Sequence, residues 1–312
     1  MEPGEVDAIK TLVISAVIIV NMILNTLVIA VIARYPQLRE DRTALFVFSL
    51  LLSDLLAGCT ALPISAVACV SATPNEYNAT YLAETQLFFV AWFSFNSVHS
   101  LCWLTVTKMV ALLHPFRYEQ LFSHRRCYVV IVCVWLTGAL TAGLSVRTSV
   151  PWNSVSCTYD RPIDSGTSVA ITVRFVLVVL PLIAMVYATA RIFCVVVRTH
   201  YQIAAQVRSI GGQVDAGGNT SSLTLRSVRS GRNVLIVCLG VLVLSVPITI
   251  LILLGYTGGP IHSVSETFIF AAVWLAMSNS FVNSLLYLIL FRSVRKKTKT
   301  LLREMYNWCN VC

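Results

Sequence analysis

Hydrophobic positions along this chain gather into seven long runs, at about 9–33, 44–70, 85–113, 127–149, 168–198, 233–256 and 264–290. Each is long enough to form a helix across a bilayer. Pro63, Pro181 and Pro247 fall inside runs, where they predict kinks rather than ends, because neighbouring helices can re-satisfy the freed carbonyls. The connections are short except for 199–231, whose "GGQVDAGGNTSS" cannot build a core and predicts a mobile linker. After the seventh run, Phe291, Val294, Leu301, Leu302 and Met305 recur among Arg and Lys, which predicts an amphipathic helix over 291–306 lying on the inner membrane surface. No internal repeat is present. The expected fold is an all-α membrane protein: a seven-transmembrane helix bundle with a short amphipathic C-terminal helix over 1–306, then a short Cys-containing tail over 307–312.

Composition sharpens this picture. Hydrophobic residues make up 57% of the chain and charged residues 12%, far from the quarter that soluble chains carry. A net charge of +9 raises nucleic acid as a partner, but the distribution of charge argues against it. With the N-terminus outside, nineteen of the 23 Lys and Arg fall on the cytoplasmic side and eight of the 14 acids on the outer side. That is the positive-inside pattern, and it directs the basic charge to anionic inner-leaflet lipid. Residues 1–8 are acidic and the first run is too long for a signal core, so it is expected to act as an uncleaved anchor. The ten cysteines show no metal-ligand spacing; Cys69 and Cys157 are the two expected near the outer face.

Two polar features interrupt the apolar runs. Asp54 stands in the middle of the second, in "SLLLSDLLAG", and Ser278, Asn279, Ser280, Asn283 and Ser284 cluster in the seventh. Such groups are costly against lipid and are expected to face one another inside the bundle. His99, in the third run, reads as a satisfied interhelical group, since no nucleophile partner stands at a readable spacing; an enzyme is not expected. A single buried acid without a polar path or repeats also argues against a transporter or channel.

"NTLVIAVI" with Asn25, "LLLSDLLAG" nine residues before Pro63, "LTVTKMVALLHPFRY", Trp135, Pro181, Pro247 and "NSFVNSLLY" fall in an order and spacing that resembles the rhodopsin-like (class A) G-protein-coupled receptors over essentially the whole chain. The departures are specific. Thr107-Lys108-Met109 stands where the family has Asp-Arg-Tyr, Leu244-Ser245-Val246-Pro247 where it has Cys-Trp-x-Pro, and Asn283-Ser284-Leu285-Leu286-Tyr287 where it has Asn-Pro-x-x-Tyr. Thr189 replaces a tyrosine of the fifth helix, and Ala83 stands near the place of the family's third-helix cysteine.

The resemblance implies a plasma-membrane receptor that signals to a heterotrimeric G protein, with arrestin as a second partner. The competing reading is a non-signalling protein that pairs with or traffics another receptor. A sodium site is implied at Asp54, Ser97, Asn279, Ser280 and Asn283, with Asn25 beside it; the alternative there is a hydrogen-bonded network without an ion. No covalent cofactor is expected. The implied outer ligand pocket is walled by Val90, Ala91, Ser94, Val173, Leu177, Ser245, Ile248, Thr249, Ile252, Val273 and Met277, and the alternative is plain packing. Val90 stands where amine receptors place an aspartate, and no lysine lies between Lys108 and Lys296, so an amine or retinal is not expected. A lipid-like or weakly polar ligand suits such walls. The switches are placed at Thr107, Lys108, Met109, Pro247 and Tyr287. A Cys69–Cys157 bridge is expected because the family's third-helix partner is missing. Asn78 heads an outer-loop glycosylation sequon, and Cys309 and Cys312 invite palmitoylation. Phosphorylation for arrestin is expected in the 199–231 linker.

Overall fold

Helices dominate the computed structural model, which describes the backbone of residues 3–70, 76–145, 152–153, 158–159, 168–209, 218–256 and 264–311, and the side chains within 8–67, 81–82, 84–143, 180–199, 201–202, 231–251 and 264–307. Among the described residues run α1 (Pro3–Arg34), α2 (Thr43–Cys59), α3 (Ala61–Val70), α4 (Glu76–Leu113), α5 (Pro115–Leu121), α6 (His124–Ser145), α7 (Ser168–Ser209), α8 (Gly218–Tyr256), α9 (Glu266–Leu290) and α10 (Arg292–Val311). A 3-10 turn at Pro36–Leu38 and one antiparallel pair of two-residue strands, β1 (Trp152–Asn153) with β2 (Thr158–Tyr159), complete them. Among the described residues, seven segments are long and apolar enough to cross a membrane: Ala8–Arg34, Thr43–Val67, Glu84–Leu113, His124–Gly143, Leu180–Thr199, Gly231–Leu251 and Glu266–Leu290. The chain is an all-α multi-pass bundle, as its apolar runs predict.

Burial is arranged for lipid rather than for water. Large apolar side chains point outward along the spans, with Leu12 and Leu140 each 70% exposed, while Asn21, Asn25, Asn96, Asn283 and Ser284 are fully enclosed. In lipid the outward apolar stripe costs nothing, and helices are held by packing and by polar contacts between them. α4 is the central helix, packing against α2, α6, α7 and α8. Two apolar clusters bracket a polar layer. The larger includes Phe46, Leu50, Leu51, Leu104, Val237 and Tyr287; the smaller gathers Ile14, Val17, Leu62, Val273 and Trp274. Asn21 and Asn25 on α1, Asp54 on α2 and Asn283 on α9 lie between them.

Four expectations differ from the structure. The kink expected at Pro63 is a break at Thr60, whose φ of −125° and ψ of −74° separate α2 from α3. Pro63 then falls in the first turn of α3, where its missing N–H leaves no intrahelical bond unmade. Much of the linker expected over 199–231 is helical: α7 continues to Ser209 and α8 starts at Gly218, with 210–217 outside the described residues. Residues 199–209 hold no Gly or Pro and prolong a helix already nucleated. The tail helix runs to Val311, not 306, and Asn78 lies in the first turn of α4 rather than in a loop. Pro181 and Pro247 do stay inside continuous helices. Beside Pro247, the Ser245 hydroxyl donates to the Val241 carbonyl at 2.8 Å and that of Thr249 to the Ser245 carbonyl at 2.7 Å.

Candidate functional site

The polar layer is one connected network across α1, α2, α4 and α9. Asn283 Nδ2 donates to Asp54 Oδ2 at 3.1 Å, and the buried Ser97 of α4 faces the same carboxyl group. From α1, Asn21 Nδ2 reaches the Asp54 backbone carbonyl at 2.8 Å. Asn25 Nδ2 contacts Asn21 Oδ1 at 2.6 Å and the Ser280 carbonyl at 3.2 Å, and Asn25 Oδ1 accepts from the Ser284 hydroxyl at 2.5 Å. Helix periodicity explains the convergence: Asn21 and Asn25, like Asn279 and Asn283, are four residues apart and share a face. The Oδ1 atoms of Asn279 and Asn283 are buried yet accept no hydrogen bond. The layer thus presents a carboxylate, a hydroxyl and two unused amide oxygens, all oxygen donors of the kind that hard cations take. A buried acceptor without a partner is uncommon enough to need a physical account.

A second polar cluster lies at the end of the bundle where α1 finishes and α2 begins. Lys108 Nζ, near the end of α4, pairs with Asp41 Oδ2 at 2.7 Å; the lysine side chain is 13% exposed and the aspartate 50%. Asp41 Oδ1 accepts from the Thr43 N–H at 3.0 Å and from the Tyr118 hydroxyl at 3.4 Å. The Arg42 guanidinium sits 5.4 Å from the centre of the Tyr118 ring, and its Nη1 reaches the Glu119 carbonyl at 3.5 Å. Burial pushes the Asp41 carboxyl up, but the Lys108 charge and the Lys108 and Thr43 hydrogen bonds outweigh it, so the pKa lies below the ordinary value. Burial, and then the Asp41 charge, raise the Tyr118 phenol. Thr107 is fully enclosed and spends its hydroxyl on the Trp103 carbonyl.

The model of the seven-transmembrane receptor (rhodopsin family) matches residues 24–287, which take in the second cluster and all of the polar layer except Asn21. The chain belongs to the rhodopsin family of seven-transmembrane receptors. Membership sets it among receptors rather than enzymes. It is 25% identical to the D(1A) dopamine receptor of Xenopus laevis over 67% of this chain and 48% of that one. It is 21% identical to melatonin receptor type 1A of Mus musculus over 91% and 77%, and 30% identical to octopamine receptor 1 of Lymnaea stagnalis over 42% and 20%. The chain therefore spans about half or less of the dopamine and octopamine relatives' length.

In this rhodopsin-family receptor the other expected site residues are placed unevenly. Ile248, Val273 and Met277 pack together in the smaller apolar cluster. Val90 and Ala91 are half-buried on α4, whereas Ser94 and Thr249 are exposed. The side chains of Val173, Leu177 and Ile252 lie outside the described residues, as do those of Cys69, Cys157, Asn78, Cys309 and Cys312 and the acceptors at 218–230. An open furrow along α6, lined by His124, Arg125, Tyr128, Val129, Val132 and Cys133, comes from one helix alone and is not the expected pocket. Tyr287 stacks on Phe291 at 4.8 Å and buries a hydroxyl without a partner. His99 is satisfied within its own helix rather than between helices: its Nδ1 contacts the Phe95 carbonyl at 2.8 Å and its ring lies 3.8 Å from that of Phe95. Sequence reasoning missed Asp41. Its tie to Lys108 is not legible in the chain, because the two lie 67 residues apart and Asp41 sits in a connection with no periodic pattern.

Proposed function

We propose that the chain is a plasma-membrane receptor, N-terminus outside, that passes an outer signal to a heterotrimeric G protein through the end of the bundle carrying Lys108. The observation that supports this most is the pair of polar clusters, which lie almost wholly on the segment shared with the rhodopsin family, the second of them built around the switch position Lys108. An outer ligand acts where α4, α7, α8 and α9 meet, and α8 pivots about Pro247. The dopamine and octopamine relatives are named for amines, yet Val90 and its neighbours on α4 provide no acid after Glu84, so the reading favours a lipid-like or weakly polar ligand.

A sodium ion fits the polar layer. Asp54, Ser97, Asn279 and Asn283 would hold it, and Ser280 stands beside them with its carbonyl engaged by Asn25. Bound there, the ion supplies the positive charge that an acid enclosed among helices needs. The residues themselves fix the resting arrangement: Asn283 ties α9 to α2, and Ser284, in the place of the family's proline, ties α9 to α1.

Signalling is tested by G-protein dissociation in cells expressing the full chain without added ligand, across all G-protein classes. Dissociation above that of mock-transfected cells in at least one class is the expected result. Output at the mock level in every class, with the protein at the surface, supports the non-signalling partner instead.

A further inference from the structure

We infer that Asp41 is the positioning residue for Lys108, an acid outside α4 that holds the lysine in the resting state and sets how much the receptor signals unprompted. The inference rests on the G-protein reading above. An in-helix acid next to the cation would restrain it along α4; here Thr107 occupies that position and its hydroxyl is committed to its own helix. The restraint comes instead from the connection between α1 and α2, through the 2.7 Å pair.

The geometry around Asp41 suits a latch rather than a casual surface contact. One carboxylate oxygen faces Lys108, and the other is held by the first backbone N–H of α2 and by Tyr118 of α5. Arg42, the next residue, covers the Tyr118 ring and reaches the Glu119 carbonyl. Asp41 therefore joins three segments, 35–43, the end of α4, and α5. Its carboxylate is oriented before the lysine arrives, so little side-chain freedom is lost in closing the pair. Lysine, a point charge on a flexible stem, can leave such a partner without the paired geometry that arginine would have to break. Opening the latch frees the ammonium to turn toward carbonyl or carboxylate groups of a bound G protein.

The chain itself makes this testable, because Lys108 is isolated: the neighbouring lysines are Lys10 and Lys296. The full-length receptor in nanodiscs is acetylated with a small amine-reactive ester, and the Lys108 peptide is followed by mass spectrometry for wild type and Asp41→Asn. The same variants are assayed for ligand-free G-protein dissociation in cells. Asn keeps the shape and an acceptor oxygen, so folding is preserved. Expected are acetylation about two- to fivefold faster in Asp41→Asn and a basal output raised by a similar factor, which is the scale a half-exposed ion pair supports. Lys108→Gln should cancel that gain in the double variant, and the swap Asp41→Lys with Lys108→Asp should return output toward wild type. Equal acetylation in wild type and Asp41→Asn overturns the latch. Faster acetylation with unchanged output, where wild type signals, overturns the positioning role. No output from any variant sinks the G-protein reading and this role with it, while the acetylation rates still report whether the pair exists.

Discussion

Asn283→Leu is expected to lower the apparent melting temperature by about 5–10 °C, a loss of about 2–3 kcal/mol. Leucine keeps the branched shape but is larger than asparagine, so crowding at this enclosed site adds to the loss of the amide donor. Asn283 Nδ2 donates to the Asp54 carboxyl at 3.1 Å, and Asp54 is buried. A hydrogen bond to a charged group contributes about 1.5–3 kcal/mol, more than a neutral pair, because the stranded partner keeps its desolvation cost. The assignment can be separated from general damage with a second substitution. Asp54→Asn on the Asn283→Leu background should recover much of the loss, since the group left without its donor is then uncharged. A melting temperature within about 1 °C of wild type for Asn283→Leu, or a double variant worse than the single, would show that the contact does not carry the stability given to it.

Gly58→Ala is the second large effect, at about 1–3 kcal/mol. A methyl group at residue 58 would overlap the Asn21 side-chain amide, the same group that donates to the Asp54 carbonyl at 2.8 Å. The bare α-carbon one turn beyond Asp54 is what lets α1 approach α2 closely enough for that bond, the usual role of small residues between membrane helices. Alanine must therefore displace Asn21, which also loosens its contact with Asn25. Once Asn21→Ala has removed the clashing amide, Gly58→Ala should cost far less than it does alone. Thermal melts of the two single variants and the double give the comparison, and simple additivity would count against this account.

Acid has little leverage on the other cluster. The Asp41 carboxyl is held below its ordinary pKa, so the stability its charge adds is complete above the unfolded value of 3.8 and is lost only as pH falls through the still lower folded value. Mild acidification should leave the Lys108 pair closed, and Lys108 acetylation, corrected for the reagent's own pH dependence, should keep its ratio between wild type and Asp41→Asn.

Much of this architecture is legible in the chain because membranes impose simple rules. Seven long apolar runs have to become spanning helices, and a carboxylate within one of them has to meet polar groups on others. Asp54 and the amide cluster of the last run could be set opposite each other on those grounds. Connections obey no such rule. Asp41 and Lys108 are 67 residues apart, and nothing in either stretch marks the other as its partner. The same gap explains the linker: the Gly- and Ser-rich composition of 199–231 pointed to disorder, but glycine is concentrated in 211–218 and the flanking residues continue the helices. His99 shows a further limit. A lone polar residue in a span needs a partner, but the preceding turn of its own helix can supply one.

The measurement closest to the central claim compares sodium with potassium. The polar layer at Asp54 is read as a cation site of the resting receptor, with two buried amide oxygens unused by protein donors. Purified wild-type receptor should melt higher in sodium than in potassium at equal ionic strength. At a sodium concentration about ten times the dissociation constant the gain is about 1.4 kcal/mol, or about 3–5 °C. Asp54→Asn, which keeps shape and hydrogen-bonding capacity but removes the charge, should melt at the same temperature in both salts. A wild type indifferent to the choice of ion, or an Asp54→Asn variant with an undiminished sodium effect, would contradict the account.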